Sequence, residues 1–388
     1  MKYTGKVNIE VISPDDEYNY FFGYYDLEPF DRESKRHLAH RASFNDRLPT
    51  KNDICDVGYI TLSDKVFHKV GETRAWNFQQ GAMLQWFDEN SIIFNDFRNE
   101  KYVSIIKNID TGAERELVLP IATLSSDRKW AMSINFSRVW DFRPGYGYCN
   151  LKDANYDIFA PENDGIFLLD IEKNEAKLVI SYKDIKNAFP EPPFSELKLV
   201  VNHITFNPSG ERFIFILRNF PEKCGDRWGN LLVTANKDGT DMVNLTRFCD
   251  VNSHYHFKND KDIIIYAGYP TWGIYLLEDI TKKCVKLNCE LVDKDDIHCL
   301  YHPDKSSFIG DGYPQSNDPY RSIYLYDFET AKAIEILKIY SHPVTSTDLR
   351  CDLHNRFNYE GNLVSFDSFH AELRSICSFK FDKKSLIN

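Results

Sequence analysis

Four histidines stand at one repeated position in the chain. His203 (HITF), His254 (HYHF), His298 (HCLY) and His354 (HNRF) each precede an aromatic residue by three places. With only 11 histidines in 388 residues, four in register are a pattern rather than scatter. Imidazoles brought together suit two chemistries. They hold a divalent metal of the Mn, Fe, Ni or Zn type through a ring nitrogen, or they move protons near neutral pH. A third use is structural, one hydrogen bond to backbone in each repeat. Other polar residues recur at related places. Arg218, Asp311 and Asp367 each end an apolar run, and Arg41 stands similarly in the first unit. In RCDLH, Asp352 lies two residues before His354 and shares its strand face, with Arg350 just ahead. Tyr24 and Tyr25 lie in FGYYD, and Gln80 in WNFQQGAMLQW.

The elements that must position these residues form a repeat. An aromatic or apolar residue, a short polar turn and an apolar stretch recur seven times, beginning at Phe30, Phe87, Leu124, Phe206, Phe257, Tyr301 and Phe357. Several copies continue as four short strands joined by Asp, Gly, Asn and Thr turns. Units of roughly 40–50 residues with four strands are propeller blades. The pattern therefore predicts an all-β, seven-bladed β-propeller occupying 1–388 as one domain, with a long loop insertion at about 140–163 in the third unit. The last unit supplies three strands, so Val7–Ile12 is expected to pair into the last blade and close the ring. Innermost strands line a propeller's channel, which gathers the four histidines at one mouth. The second strand of each unit returns to that mouth, bringing Arg218, Asp311 and Asp367 with it. Helical periodicity is confined to residues 182–189.

Composition narrows the function. A net charge of -11 disfavours nucleic acid and anionic membrane as partners. No segment reaches 18 apolar residues, and the first residues do not read as a secretory leader. Nine scattered cysteines without a CxxC pair read as reduced thiols, hence a cytoplasmic expectation. There is no GxGxxG before a helix, no Walker loop, no GxSxG and no HExxH, which removes the usual support for nucleotide or serine-hydrolase chemistry. WNFQQ and RPGYGY set aromatic faces beside amides and an arginine, which suits carbohydrate.

NHITFNPSGERFIFILR, IHCLYHPDKSSFIGDGYP and RCDLHNRFNYEGNLVSFDS resemble the seven-bladed oligogalacturonate lyase group. FFGYYDLEPFD, WNFQQGAMLQW and DGIFLLD are similar to a wider set of propellers encoded beside surface-polysaccharide genes. The resemblance runs from about Phe21 to Arg374. It implies a Mn²⁺ held by three histidines and a glutamine, which binds a uronate carboxylate and acidifies C5–H. A basic residue then takes the proton, and the C4 glycosidic oxygen leaves. On this chain the resemblance makes His298 and His354 metal ligands. Asp352 stands where the family has a further histidine, and Ser346–Arg350 lacks the glutamine. His203, His254 and Arg218 match channel residues that bind substrate and abstract the proton. A guanidinium, with a pKa above about 12, is the better carboxylate clamp, which leaves His203 or His254 as base. Tyr24, Tyr25, Arg41, Gln80, Arg350, Asp311 and Asp367 complete the expected substrate-binding set. The expected function is metal-assisted β-elimination on a uronic-acid-containing oligosaccharide, with Mn favoured over Zn. The expected partner is an acidic oligosaccharide or surface glycan precursor. The alternatives are another surface-polysaccharide assembly enzyme, or a non-catalytic propeller that binds glycan or protein.

Overall fold

Short apolar strands broken every few residues by polar turns make small sheets, each of which must bury a face against the next. A computed structural model describes residues 2–190, 196–220, 229–248, 251–269, 271–293, 295–313 and 318–387. Seven antiparallel sheets follow one another along the chain, at 19–73, 85–117, 123–181, 199–244, 252–286, 300–340 and 356–380. Strands within each are ordered as in sequence. The chain is an all-β, seven-bladed propeller.

The first residues close the ring. Glu10–Val11 pairs with Ser375–Lys380 and supplies the fourth strand of blade seven. Tyr3–Gly5 adds a fifth strand to blade six against Lys332–Tyr340. Two adjacent blades are thus fastened by one segment, and the edge of each is covered.

Bulges aim the histidines. In blade four the pairing register slips between Asn202 and Ile204, leaving His203 as the extra residue with φ +53°. In blade five it slips between Asn252 and Tyr255, across His254. His354 also sits in the left-handed region, with φ +45°. Histidine tolerates that region better than most residues, and bulges are a common way to re-aim a side chain.

The blade-three insertion departs from expectation in extent and in kind. It fills the whole interval between Trp130–Ser133 and Gly165–Asp170. It opens with a helix, Phe136–Phe142, whose N-cap Asn135 accepts from the Arg138 amide, and a 3-10 turn follows at Pro144–Tyr146. Its base is anchored by Arg138. That buried guanidinium pairs with Asp153 at 2.9 Å and donates to the carbonyls of Leu199, Asn155, Ile158 and Phe159. A second helix, Tyr182–Ala188, is capped by the reciprocal Ser181–Asp184 box. Cys55, Cys149, Cys289, Cys299, Cys351 and Cys377 form no disulfide, and Cys224 and Cys249 lie outside the described residues. Among the described residues no helix is long and apolar enough to cross a membrane.

Candidate active site

The FGYYD segment enters the channel rather than rimming it. Gly23, at φ +146°, lets the backbone pass the carbonyl of Gln80, which a Cβ would meet at 3.0 Å. Arg356 fixes the loop by donating to the carbonyls of Gly23 and Tyr24. Its own charge is met by Asp367 at 3.0 Å, which also accepts from the Phe22 amide. Asp367 therefore anchors the loop. The Tyr24 ring lies 4.6 Å from His203, 4.8 Å from His354, 5.9 Å from His298 and 6.4 Å from His254. Tyr25 packs 5.2 Å from His298 and donates to the Tyr255 carbonyl. Both tyrosines are buried and fill the centre of the ring.

Above them the structure brings His298, Asp352 and His354 together, one ligand atom of each lying within 4.8 Å of the others. Each imidazole is oriented through Nδ1. His298 meets Asp311 at 3.2 Å, and His354 meets the Gly23 carbonyl at 2.8 Å. A carbonyl accepts only, so Nδ1 of His354 carries its proton, and its Nε2 presents a lone pair. The Nε2 atoms of His298 and His354 are both buried without a hydrogen-bond partner. Burial holds His354 well below the usual histidine range, so it is neutral. Oriented imidazoles whose Nε2 atoms have no hydrogen-bond partner, beside a carboxylate, are a donor set that fits a divalent cation.

Asp352 is shared by two guanidiniums, Arg321 at 2.9 Å and Arg350 at 2.8 Å. Their charges hold its carboxyl far below the ordinary range despite burial. The His254 ring lies tilted against His298 with centroids 3.7 Å apart, and it is oriented by Asp296, whose Oδ1 lies 3.0 Å from its Nδ1. Burial and the neighbouring His298 push His254 down to about 4. Asp296 also accepts from the Ser253 hydroxyl at 2.7 Å. The sequence reading passed over Asp296; its signal was the acidic pair two residues ahead of His298 in DDIH. His203 is held at both nitrogens, by Gln80 at 3.2 Å and Tyr24 at 3.1 Å. Burial and the Arg218 charge keep it neutral. Arg218 is buried at the same mouth, its Nε donating to Asn202 at 3.1 Å.

Arg41 is not part of this group. Its guanidinium pairs with Asp56 at 2.6 Å and lies over the rings of Tyr18 and Phe67. Strand alternation is the reason. The preceding His40 faces the interior, where it accepts from the Ala82 amide, so Arg41 faces the other way. A cavity of about 860 Å³ opens at the opposite, hairpin end of the ring, lined by Asp26, Glu28, Arg128, His256 and Lys305 among others. Asp26 also borders a space of about 20 Å³ against Tyr24, Gln80 and His203.

No family model matches the chain, and no curated protein matches it. Solved structures do. An oligogalacturonate lyase in complex with manganese aligns over 98% of this chain and 95% of its own, with a TM-score of 0.70 and 13% identity. An oligogalacturonate lyase from Vibrio parahaemolyticus aligns over 99% and 98%, with a TM-score of 0.68 and 14% identity. The chain has the oligogalacturonate lyase-like propeller fold. The tricorn protease shares the propeller at a TM-score of 0.54 and 10% identity, but only 33% of that chain is covered.

Proposed function

We propose that this oligogalacturonate lyase-like propeller is a carbohydrate-active enzyme that cleaves a uronic-acid-containing oligosaccharide by β-elimination, assisted by a divalent cation of the Mn type. The observation that carries the reading is the pair of buried, unpartnered Nε2 atoms of His298 and His354 beside Asp352. Three buried guanidiniums, Arg218, Arg321 and Arg350, at the same mouth supply the positive field an acidic sugar needs.

A cation held by His298, Asp352 and His354 would neutralise the uronate carboxylate and render C5–H acidic enough to lose. The remaining work falls to the chain's own groups. Arg218 and Arg350 orient the carboxylate and absorb developing enolate charge. His254, neutral and oriented by Asp296, takes the C5 proton. The C5–H electron pair becomes the C4–C5 double bond, and the C4–O bond breaks. Tyr24, hydrogen-bonded to His203, delivers a proton to the departing oxygen.

Metal content is the first test, on untagged protein purified without chelator, with His354→Ala alongside. Near one equivalent in the parent and almost none in the variant is expected. Acidic oligosaccharides should then yield a product absorbing in the ultraviolet. Absence of metal from both proteins, even after adding Mn²⁺ or Zn²⁺, overturns the metal-assisted reaction.

A further inference from the structure

Arg350 is a nearly buried guanidinium with an unusual set of partners. Its Nε is met by Asp352, and its Nη1 by the Thr347 carbonyl at 2.9 Å. Among the described residues its Nη2 meets only two phenol oxygens, Tyr146 at 2.8 Å and Tyr313 at 3.3 Å. Asp352 is also shared with Arg321, so this buried trio carries one net positive charge. Neutral hydroxyls are poor compensation for a buried cation, whereas a carboxylate is the natural acceptor for a guanidinium edge.

Tyr146 comes from the blade-three insertion. Its ring sits edge-on to His203 at 5.4 Å and to Tyr24 at 6.4 Å, directly over the histidine group. The insertion is fixed at its base by Arg138 and Asp153 at 2.9 Å, whereas the side-chain hydrogen bonds to the backbone of its tip are longer, Asn77 reaching the Gly147 carbonyl at 3.3 Å. The Gly145 amide reaches Asp348 only at 3.3 Å, and Arg143 reaches the same carboxylate at 4.0 Å. Asp348 approaches so closely that a Cβ on Gly145 would meet its Oδ1 at 2.9 Å.

We infer that the Tyr146 hydroxyl is a stand-in for the carboxylate of an acidic sugar on Arg350, and that residues 143–147 move aside when that carboxylate arrives. One carboxylate oxygen then takes the Nη2 hydrogen bond that Tyr146 gives up. The other accepts from the Tyr313 hydroxyl, which already lies against the same nitrogen. Arg350 is the residue that reads the sugar's charge, and Tyr146 competes with the ligand for it. This rests on the acidic-sugar reading above, but it does not require the metal or the elimination step.

The test uses chelator-treated full-length protein, with D-galacturonate and D-glucuronate as probes and galactose and glucose as neutral controls. Ligand-observed NMR titration gives the affinities. Arg350→Gln is expected to weaken uronate binding about tenfold or more, the loss of one charge-assisted hydrogen bond. Tyr146→Phe, which keeps the ring, is expected to tighten uronate binding several-fold and leave the neutral sugars unchanged. Hydrogen exchange at 143–147 in the parent should speed up with uronate and not with galactose. Uronate binding that Tyr146→Phe leaves equal or weaker overturns the inference, as does exchange indifferent to uronate. If the sugars bind as stated and no unsaturated product ever forms, the elimination reading falls and this one stands.

Discussion

Acid should unfold this protein at an unusually mild pH. Seven histidines are held below the ordinary range chiefly by burial: His37, His40 and His256 at about 3, His254 at about 4, His203 and His354 well below normal, and His370 below it. In the unfolded chain each returns to a pKa of about 6.5. The unfolded state therefore binds more protons below that value, so stability is full above it and falls as pH drops toward the folded pKa values. For a histidine moved from about 6.5 to about 4, the loss by pH 5 is about 2 kcal/mol. Four such groups, His37, His40, His254 and His256, sum to roughly 8 kcal/mol, comparable with the whole stability of a typical domain, and the remaining histidines act in the same direction. Asp26 works the other way. Burial raises its carboxyl to about 6, so it gains stability as pH falls, and it returns only about 1 kcal/mol over the same interval. Cooperative unfolding between about pH 6 and 5 follows. The assay is thermal melting of chelator-treated protein in half-unit steps from pH 7.5 to 5. His40→Asn removes one of the titrating groups and should shallow the slope by about one proton. A melting temperature flat across that range refutes the reasoning, because it requires the histidines to titrate equally in both states.

Three further perturbations bear on the site and its supports. Asp352→Asn leaves Arg321 and Arg350 without their shared carboxylate and should cost about 3–5 kcal/mol in denaturant unfolding of metal-free protein. A loss below about 1 kcal/mol would show that the guanidiniums have other adequate acceptors. Arg138→Met strands the fully buried Asp153 and should cost a similar amount, with limited proteolysis cutting first within 136–163. Unchanged proteolysis there would contradict the anchoring role given to this pair. Gly81→Ala places a Cβ 2.2 Å from the His40 ring at a φ of +60°. The loop must shift, taking Gln80 off His203, so stability should fall by about 1–3 kcal/mol; a melting temperature matching the parent's would mean the loop tolerates the change.

The blades were legible because their signal is local and repeated. The turn aromatic, the polar turn and the strand that follows recur at Phe206, Phe257, Tyr301 and Phe357, and the four histidines ride on that register. The closing strand was legible because the last unit runs one strand short, and Glu10–Val11 supplies it. What failed to show was non-local or set by parity. Nothing near Tyr24 in sequence reveals that it reaches rings at 203, 254, 298 and 354, because that contact exists only once the ring closes. Asp296 stands two residues before His298 as Asp352 does before His354, and that repeated offset was the signal that could have selected it. Arg41 was placed by its distance from the end of a strand, and a one-residue difference in parity decides which face it takes. The helix at Phe136–Phe142 spans only seven residues, too short for an apolar period to register.

Asp352 is where this site departs furthest from what the family resemblance leads one to expect, and its surroundings explain how a carboxylate serves there. Under the proposed function, an aspartate in place of a neutral histidine would add a negative charge beside a bound cation, which by itself would make that cation a weaker acceptor of a uronate carboxylate. Here the carboxylate oxygens are already engaged by Arg321 and Arg350, so they donate less and the net local charge stays positive. The same two guanidiniums hold Asp352 ionised despite complete burial, which a lone carboxylate in that position would not manage. The aspartate and the arginines are thus one functional unit, and removing Arg321 alone should weaken both metal retention and uronate affinity although Arg321 touches neither. Arg321→Gln with metal content and galacturonate affinity measured side by side separates the cases. Loss of both supports a shared charge network, and loss of neither means that Asp352 keeps its charge and position through Arg350 alone.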